Sequence, residues 1–126
     1  MPFAHISMRT GKSATYHRAV MDQLHQAMVE TYDAPADGPF MTLSEHSEDE
    51  MLFGRSYLGI QRSDDFLIVQ ITANNTRTTD QKKSLYKRIA ERLSDDPGVR
   101  QEDIFIYLVE VPKENWSFGH GEAQYA

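Results

Sequence analysis

No cysteine occurs among the 126 residues, so disulfides, thiolate nucleophiles and cysteine-held metal sites are all excluded. Positive charge is also scarce: 13 Lys and Arg stand against 19 Asp and Glu, for a net charge of −6. The cations form no stripe of the kind that neutralises a phosphate backbone, which excludes nucleic acid as a partner. Long apolar runs are missing, and the first residues lack the basic-then-apolar layout of a secretion signal. The expectation is a soluble cytoplasmic protein with no membrane partner. No glycine-rich segment suits a nucleotide phosphate, and no serine lies in a nucleophile motif. Histidine is present but without ligand spacing, since His17 and His25 stand two helical turns apart rather than one. Neither a metal nor a cofactor is expected.

What is present is a regular plan. Residues 2–9 alternate, with Ala4, Ile6 and Met8 on one side and Phe3, His5 and Ser7 on the other, which predicts a strand buried mainly on one face. "RTGKSAT" breaks the alternation and offers Ser13 as a helix cap. Tyr16, Val20, Leu24, Ala27, Met28 and Tyr32 then recur at helical spacing until Pro35, Gly38 and Pro39 stop the helix. "FMTLSEH" reads as a second strand, and "MLFG" and "YLGIQR" as short edge pieces. The second half follows the same order. "FLIVQITA" reads as a strand covered on both faces. Thr78 and Gln81 form a capping box, Leu85, Ile89 and Leu93 line a second helix, and "DIFIYLVEV" is the closing strand.

The corresponding segments are displaced by roughly 64 residues, which reads as an internal duplication. The expected architecture is α/β (α+β), a β-α-β unit used twice. One domain over residues 1–126 holds halves at about 2–60 and 61–116 and a tail at 117–126, with four strands in one sheet and two helices on one face. The other sheet face needs cover, which predicts an oligomer.

Proline follows the initiator methionine, and removal of Met1 would leave Pro2 with a secondary amine at the terminus. Such an amine titrates near roughly pH 8 and is readily tuned to serve as a base, acid or nucleophile. A proline-led, duplicated β-α-β resembles the tautomerase superfamily. "ENWSFGHGEAQY", "TLSEH" and "TRTTDQKKSLYKRI" resemble segments of its malonate semialdehyde decarboxylase-like subgroup.

The resemblance implies a cofactor-independent enzyme acting on a small oxo acid or its enol, assembled as a homotrimer. It makes Pro2 the catalytic amine and Arg77, just before the second helix, the carboxylate-binding cation. The subgroup has a second arginine where this chain has Asn75, and an aspartate where it has Gly38, with Asp37 adjacent. Asn75 can orient an oxygen but not neutralise it. Asp37 is the candidate for the missing acid. Trp116, Phe118 and Tyr125 correspond to an apolar wall over the proline. The chemistry implied is keto-enol tautomerisation, with decarboxylation or hydration also within the superfamily's range. The competing reading is a catalytically degenerate, partner-binding trimer of the same fold.

Overall fold

The computed structural model describes residues 1–126. Six elements follow in chain order: β1 (Phe3–Arg9), α1 (Ala14–Thr31), β2 (Met41–His46), β3 (Leu67–Asn74), α2 (Thr79–Asp95) and β4 (Ile104–Val111). They form one four-stranded sheet in the order β2-β1-β3-β4. Each half pairs its own strands in parallel across a helical crossover, and the halves meet antiparallel at β1 and β3.

Both helices lie on one face. Ala4, Ile6 and Met8 of β1 and Leu67, Val69, Ile71 and Ala73 of β3 point at Val20, Leu24 and Ala27 of α1 and at Leu85, Ile89 and Leu93 of α2. Ser13 caps α1 by accepting from the Tyr16 amide, and Thr78 and Gln81 close the capping box on α2. Glu30 ties the two helices together, accepting from Arg88 and Arg92. No helix is long and apolar enough to cross a membrane.

The duplication is visible in the register. Both parallel pairs are offset by 37 residues, Ala4 opposing Met41 as Val69 opposes Ile106, and the helix caps Ser13 and Thr78 set the shift between the halves at 65. An even shift of 64 would carry every core residue of one half onto the open face of the other, because side chains alternate along a strand.

Two expectations are corrected. β3 is covered on one face only within the chain: Ile68, Gln70 and Thr72 are half-buried on the face away from the helices. On that face, too, Phe105 and Tyr107 of β4 are 46% and 41% exposed. The segments "MLFG" and "YLGIQR" form no edge strands. They belong to a loop with a short 3-10 turn at Tyr57–Gly59, where Leu58 and Gly59 take positive φ of 61° and 72° and deny the extended backbone a strand requires. That loop is held by Arg62, which donates to the carbonyls of Gly54, Tyr57 and Ile60, and by buried Asp103, which accepts from the amide and hydroxyl of Ser63.

Candidate active site

Antiparallel pairing of β1 with β3 sets Phe3 opposite Thr72, which brings the chain's N-terminus to the C-terminal end of β3. The loop from β3 to α2 supplies Arg77 there. A cavity of about 200 Å³ opens at this junction, lined by Met1, Pro2 and Phe3 from the terminus, Phe40 just before β2, and Trp116, Ser117 and Phe118 from the segment after β4. Pro2 is buried.

Burial, and next the Arg77 guanidinium, push the terminal amine of Met1 below the ordinary α-amino range. Terminus and guanidinium therefore share one electrostatic environment. While Met1 is attached, the Pro2 nitrogen is an amide without basicity. Its removal transfers the terminal amine to Pro2 in the same neighbourhood.

Arg77 donates from Nη2 to the Tyr32 carbonyl at 2.6 Å, and its Cζ lies 4.5 Å from the centroid of the Tyr32 ring. It forms no ion pair with a carboxylate. Of the other arginines only Arg62 shares that property, and Arg62 is engaged by three carbonyls. The remaining N–H groups of Arg77, like the Lys113 ammonium just beyond β4, are cationic donors without a carboxylate partner at this end of the sheet.

The aromatic wall is built by the tail. Trp116 and Phe118 stack with centroids 5.4 Å apart, and Tyr125 packs edge-on against Phe118 at 4.7 Å. Gln124 holds the tail on itself, accepting from the Phe118 amide and donating to the Gly119 carbonyl. Trp116 Nε1 donates to Asn74 Oδ1 at 2.7 Å, which anchors the wall to the last residue of β3.

Not every candidate from the sequence arrives. Pro2, Trp116 and Phe118 line the cavity, with Arg77 close to the terminus. Tyr125 supports the wall from behind without lining the cavity. Asn75 is exposed, its amide donating to the Val111 carbonyl, so it terminates the β3–β4 ladder and does not face the cavity. Asp37 is exposed in the turn and forms no part of the lining. Gly38 takes the inner position instead: a Cβ built there would stand 2.7 Å from Met1 Cε.

Asn74, Phe40 and Tyr32 were not singled out from the sequence. A lone tryptophan in need of an acceptor was the available signal for Asn74, but only the register shows that position 74 rather than 75 faces it.

The repeat gives this site a counterpart at the other end of β1 and β3. A shift of 65 matches Arg77 to Lys12, Asn74 to Arg9 and Pro2 to Leu67. There the chain supplies its own anions: Lys12 pairs with Asp65 at 2.8 Å, and Arg9 pairs with Asp64 at 3.1 Å. Only one end therefore combines a chain terminus with a cation that lacks an internal carboxylate.

Two family profiles, each described as "Tautomerase enzyme", match residues 38–119 and 2–60. The chain belongs to the tautomerase family. It is 38% identical over 124 residues to the probable tautomerase YusQ of Bacillus subtilis (strain 168), covering 98% of each chain. It is 29% identical to the probable tautomerase YrdN of the same organism, covering 99% of this chain and 96% of the relative.

Among solved structures, a malonate semialdehyde decarboxylase studied for its decarboxylase and hydratase activities superposes with a TM-score of 0.93. It is 28% identical over 98% of this chain and 95% of that one. The FG41 malonate semialdehyde decarboxylase inhibited by 3-bromopropiolate gives 0.92 at 32% identity, covering 98% and 93%. A symmetric trimer of fused 4-OT shares the fold at a TM-score of 0.80 and 18% identity, covering 98% and 97%. The chain is thus a tautomerase-superfamily enzyme of the malonate semialdehyde decarboxylase-like group.

Proposed function

We propose that this tautomerase interconverts the enol and keto forms of a small 2-oxo acid, without a cofactor, using the Pro2 amine exposed when Met1 is removed. The reading is supported by the cavity that Met1, Pro2 and Phe3 line together with Trp116 and Phe118, and by Arg77, which stands outside that lining but close enough to the terminus to lower its amine.

Arg77 holds the substrate carboxylate with donors that no carboxylate of the chain occupies. The neutral Pro2 amine takes the enol hydroxyl proton, and the resulting ammonium gives a proton to the adjacent carbon, so the enol becomes the ketone and the amine is restored. Burial and then Arg77 lower the Met1 amine in this structure, and the same surroundings would favour the neutral form of the Pro2 amine, the form a base requires. The aromatic wall excludes water, which strengthens the field of Arg77 at the developing enolate oxygen.

A second reading is decarboxylation of a 3-oxo acid, with Pro2 as an ammonium polarising the carbonyl while the C–C bond releases carbon dioxide. The likeness to two malonate semialdehyde decarboxylases favours it. Asn75 and Gly38, standing where that subgroup has a second cation and an acid, favour the tautomerase. We also infer a homotrimer working in the cytoplasm. The half-covered sheet face and the trimeric assembly of the fused 4-OT protein support the trimer, and sedimentation of a monomer at working concentration would remove it.

The test begins with mass spectrometry for a free Pro2 terminus. Turnover of phenylenolpyruvate and of malonate semialdehyde is then compared for wild type, Pro2→Ala and Arg77→Ala. Pro2→Ala exchanges the ring-held secondary amine for a freely rotating primary one and is expected to lower kcat/KM by about 100-fold. Loss of one charge-assisted carboxylate contact is expected to raise KM by roughly tenfold to a hundredfold. With a neutral base, kcat/KM rises with pH to a plateau reached once the Pro2 amine has lost its proton. Activity indifferent to both substitutions would remove the Pro2–Arg77 mechanism, and no turnover of either substrate by the wild type would favour the partner-binding trimer.

A further inference from the structure

We propose that Tyr32 is a positioning residue for Arg77, its ring face setting the orientation of the guanidinium that holds the substrate carboxylate. The inference rests on the reading of Arg77 as the carboxylate anchor and adds to it the device that keeps the anchor aimed and unneutralised.

Tyr32 caps the C-terminal end of α1, and its side chain is 0% exposed. Its hydroxyl is buried without a hydrogen-bond partner, an arrangement that opposes folding, so the hydroxyl does not explain the contact with Arg77. The rest of the residue does. Tyr32 meets the guanidinium twice, once through its carbonyl, which accepts from Nη2 at 2.6 Å, and once through the ring, 4.5 Å from Cζ. One contact fixes an edge of the fork and the other fixes a face. A side chain with several rotatable bonds is thereby held while most of its N–H groups stay free, which lowers the ordering cost of binding a carboxylate.

The choice of an aromatic partner carries the rest of the argument. A carboxylate would hold an arginine more strongly but would compete with substrate for it. That happens at the other end of the pseudo-symmetric pair, where Asp65 occupies Lys12. A ring attracts the cation through its quadrupole and brings no net charge, so Arg77 is held in place and keeps its charge for the ligand.

The test measures steady-state kinetics on phenylenolpyruvate with Met1-processed protein. Tyr32→Leu fills most of the buried space without a ring, and is expected to raise KM by about threefold to thirtyfold with kcat nearly unchanged. Tyr32→Phe, which retains the ring, is expected to restore the wild-type KM. In an Arg77→Ala background Tyr32→Leu is expected to add no further increase.

If Arg77→Ala itself leaves KM unchanged, the anchor reading fails. If Arg77→Ala raises KM while Tyr32→Leu does not, the positioning role alone is overturned. A Tyr32→Leu penalty that persists in the Arg77→Ala background marks a merely structural residue and also overturns it. Tyr32→Met replaces Tyr32→Leu should the latter not fold. Independently of any substitution, the Arg77 side-chain proton resonances of the wild type are expected to be shifted upfield by the Tyr32 ring current, and unshifted resonances would refute the contact.

Discussion

Replacing Trp116 by phenylalanine tests how the aromatic wall is attached. The stack on Phe118, with rings 5.4 Å apart and 12° from parallel, survives the change. The 2.7 Å hydrogen bond to Asn74 does not. Asn74 is only 7% exposed, so its carboxamide oxygen loses its partner in a place water reaches poorly. An unpaired buried acceptor costs about 1–3 kcal/mol, whereas replacing both partners by apolar groups is close to neutral. The single substitution is therefore expected to lower the unfolding free energy by about 1–3 kcal/mol, and Asn74→Leu combined with Trp116→Phe is expected to recover most of that loss. Urea unfolding followed by far-UV circular dichroism at fixed protomer concentration measures both; Trp116 is the one tryptophan, so fluorescence is lost with it. A Trp116→Phe protein within about 0.5 kcal/mol of wild type, or a double variant as unstable as the sum of its singles, would refute the attachment.

Two further predictions concern the scaffold. Glu30, bridging Arg88 and Arg92, has its carboxyl lowered from 4.5 to about 2, first by the hydrogen bond from Arg88 and then by that from Arg92. A depressed carboxylate contributes stability that is full above the unfolded value and lost as pH falls through the folded one. The Tm difference between wild type and Glu30→Gln should thus be present at pH 6, shrink between about pH 4.5 and 2, and shrink with added salt. A difference independent of pH and salt would show that the bridge contributes through packing alone. Thr78→Ala removes the acceptor of the Gln81 amide at the start of α2 and is expected to cost about 1 kcal/mol in urea unfolding, with Thr78→Ser close to wild type; an equal loss in both would assign the effect to something other than the cap.

The periodicities that were legible in the sequence are those that a chain must obey locally. Tyr16 to Tyr32 and Leu85 to Leu93 can bury one stripe only as helices, and Ala4, Ile6 and Met8 can share a face only as a strand, so the two β-α-β units follow from spacing and caps. The parity of the repeat was less visible, because loops absorb a residue freely while strands do not. The buried positions decide it: Ala4, Ile6 and Met8 can fall on Leu67, Val69, Ile71 and Ala73 only if the shift is odd.

The same parity decides the site. Asn74 and Asn75 are chemically identical, yet at the end of β3 one points to Trp116 and the other leaves the ladder, and no property of the pair distinguishes them before the register is known. Asp37 and Gly38 repeat the lesson in a turn: the acid is exposed, and the residue without a side chain meets the terminus. Tyr32 was hidden for a different reason. Its place in the apolar stripe of α1 already accounts for a large aromatic residue, and contact with Arg77 arises only because the end of α1 and the loop before α2, 45 positions apart, converge beside the N-terminus. Residues that serve both the core and the site read as core in a sequence. Their second role becomes visible when the polar group they touch is found with no carboxylate partner.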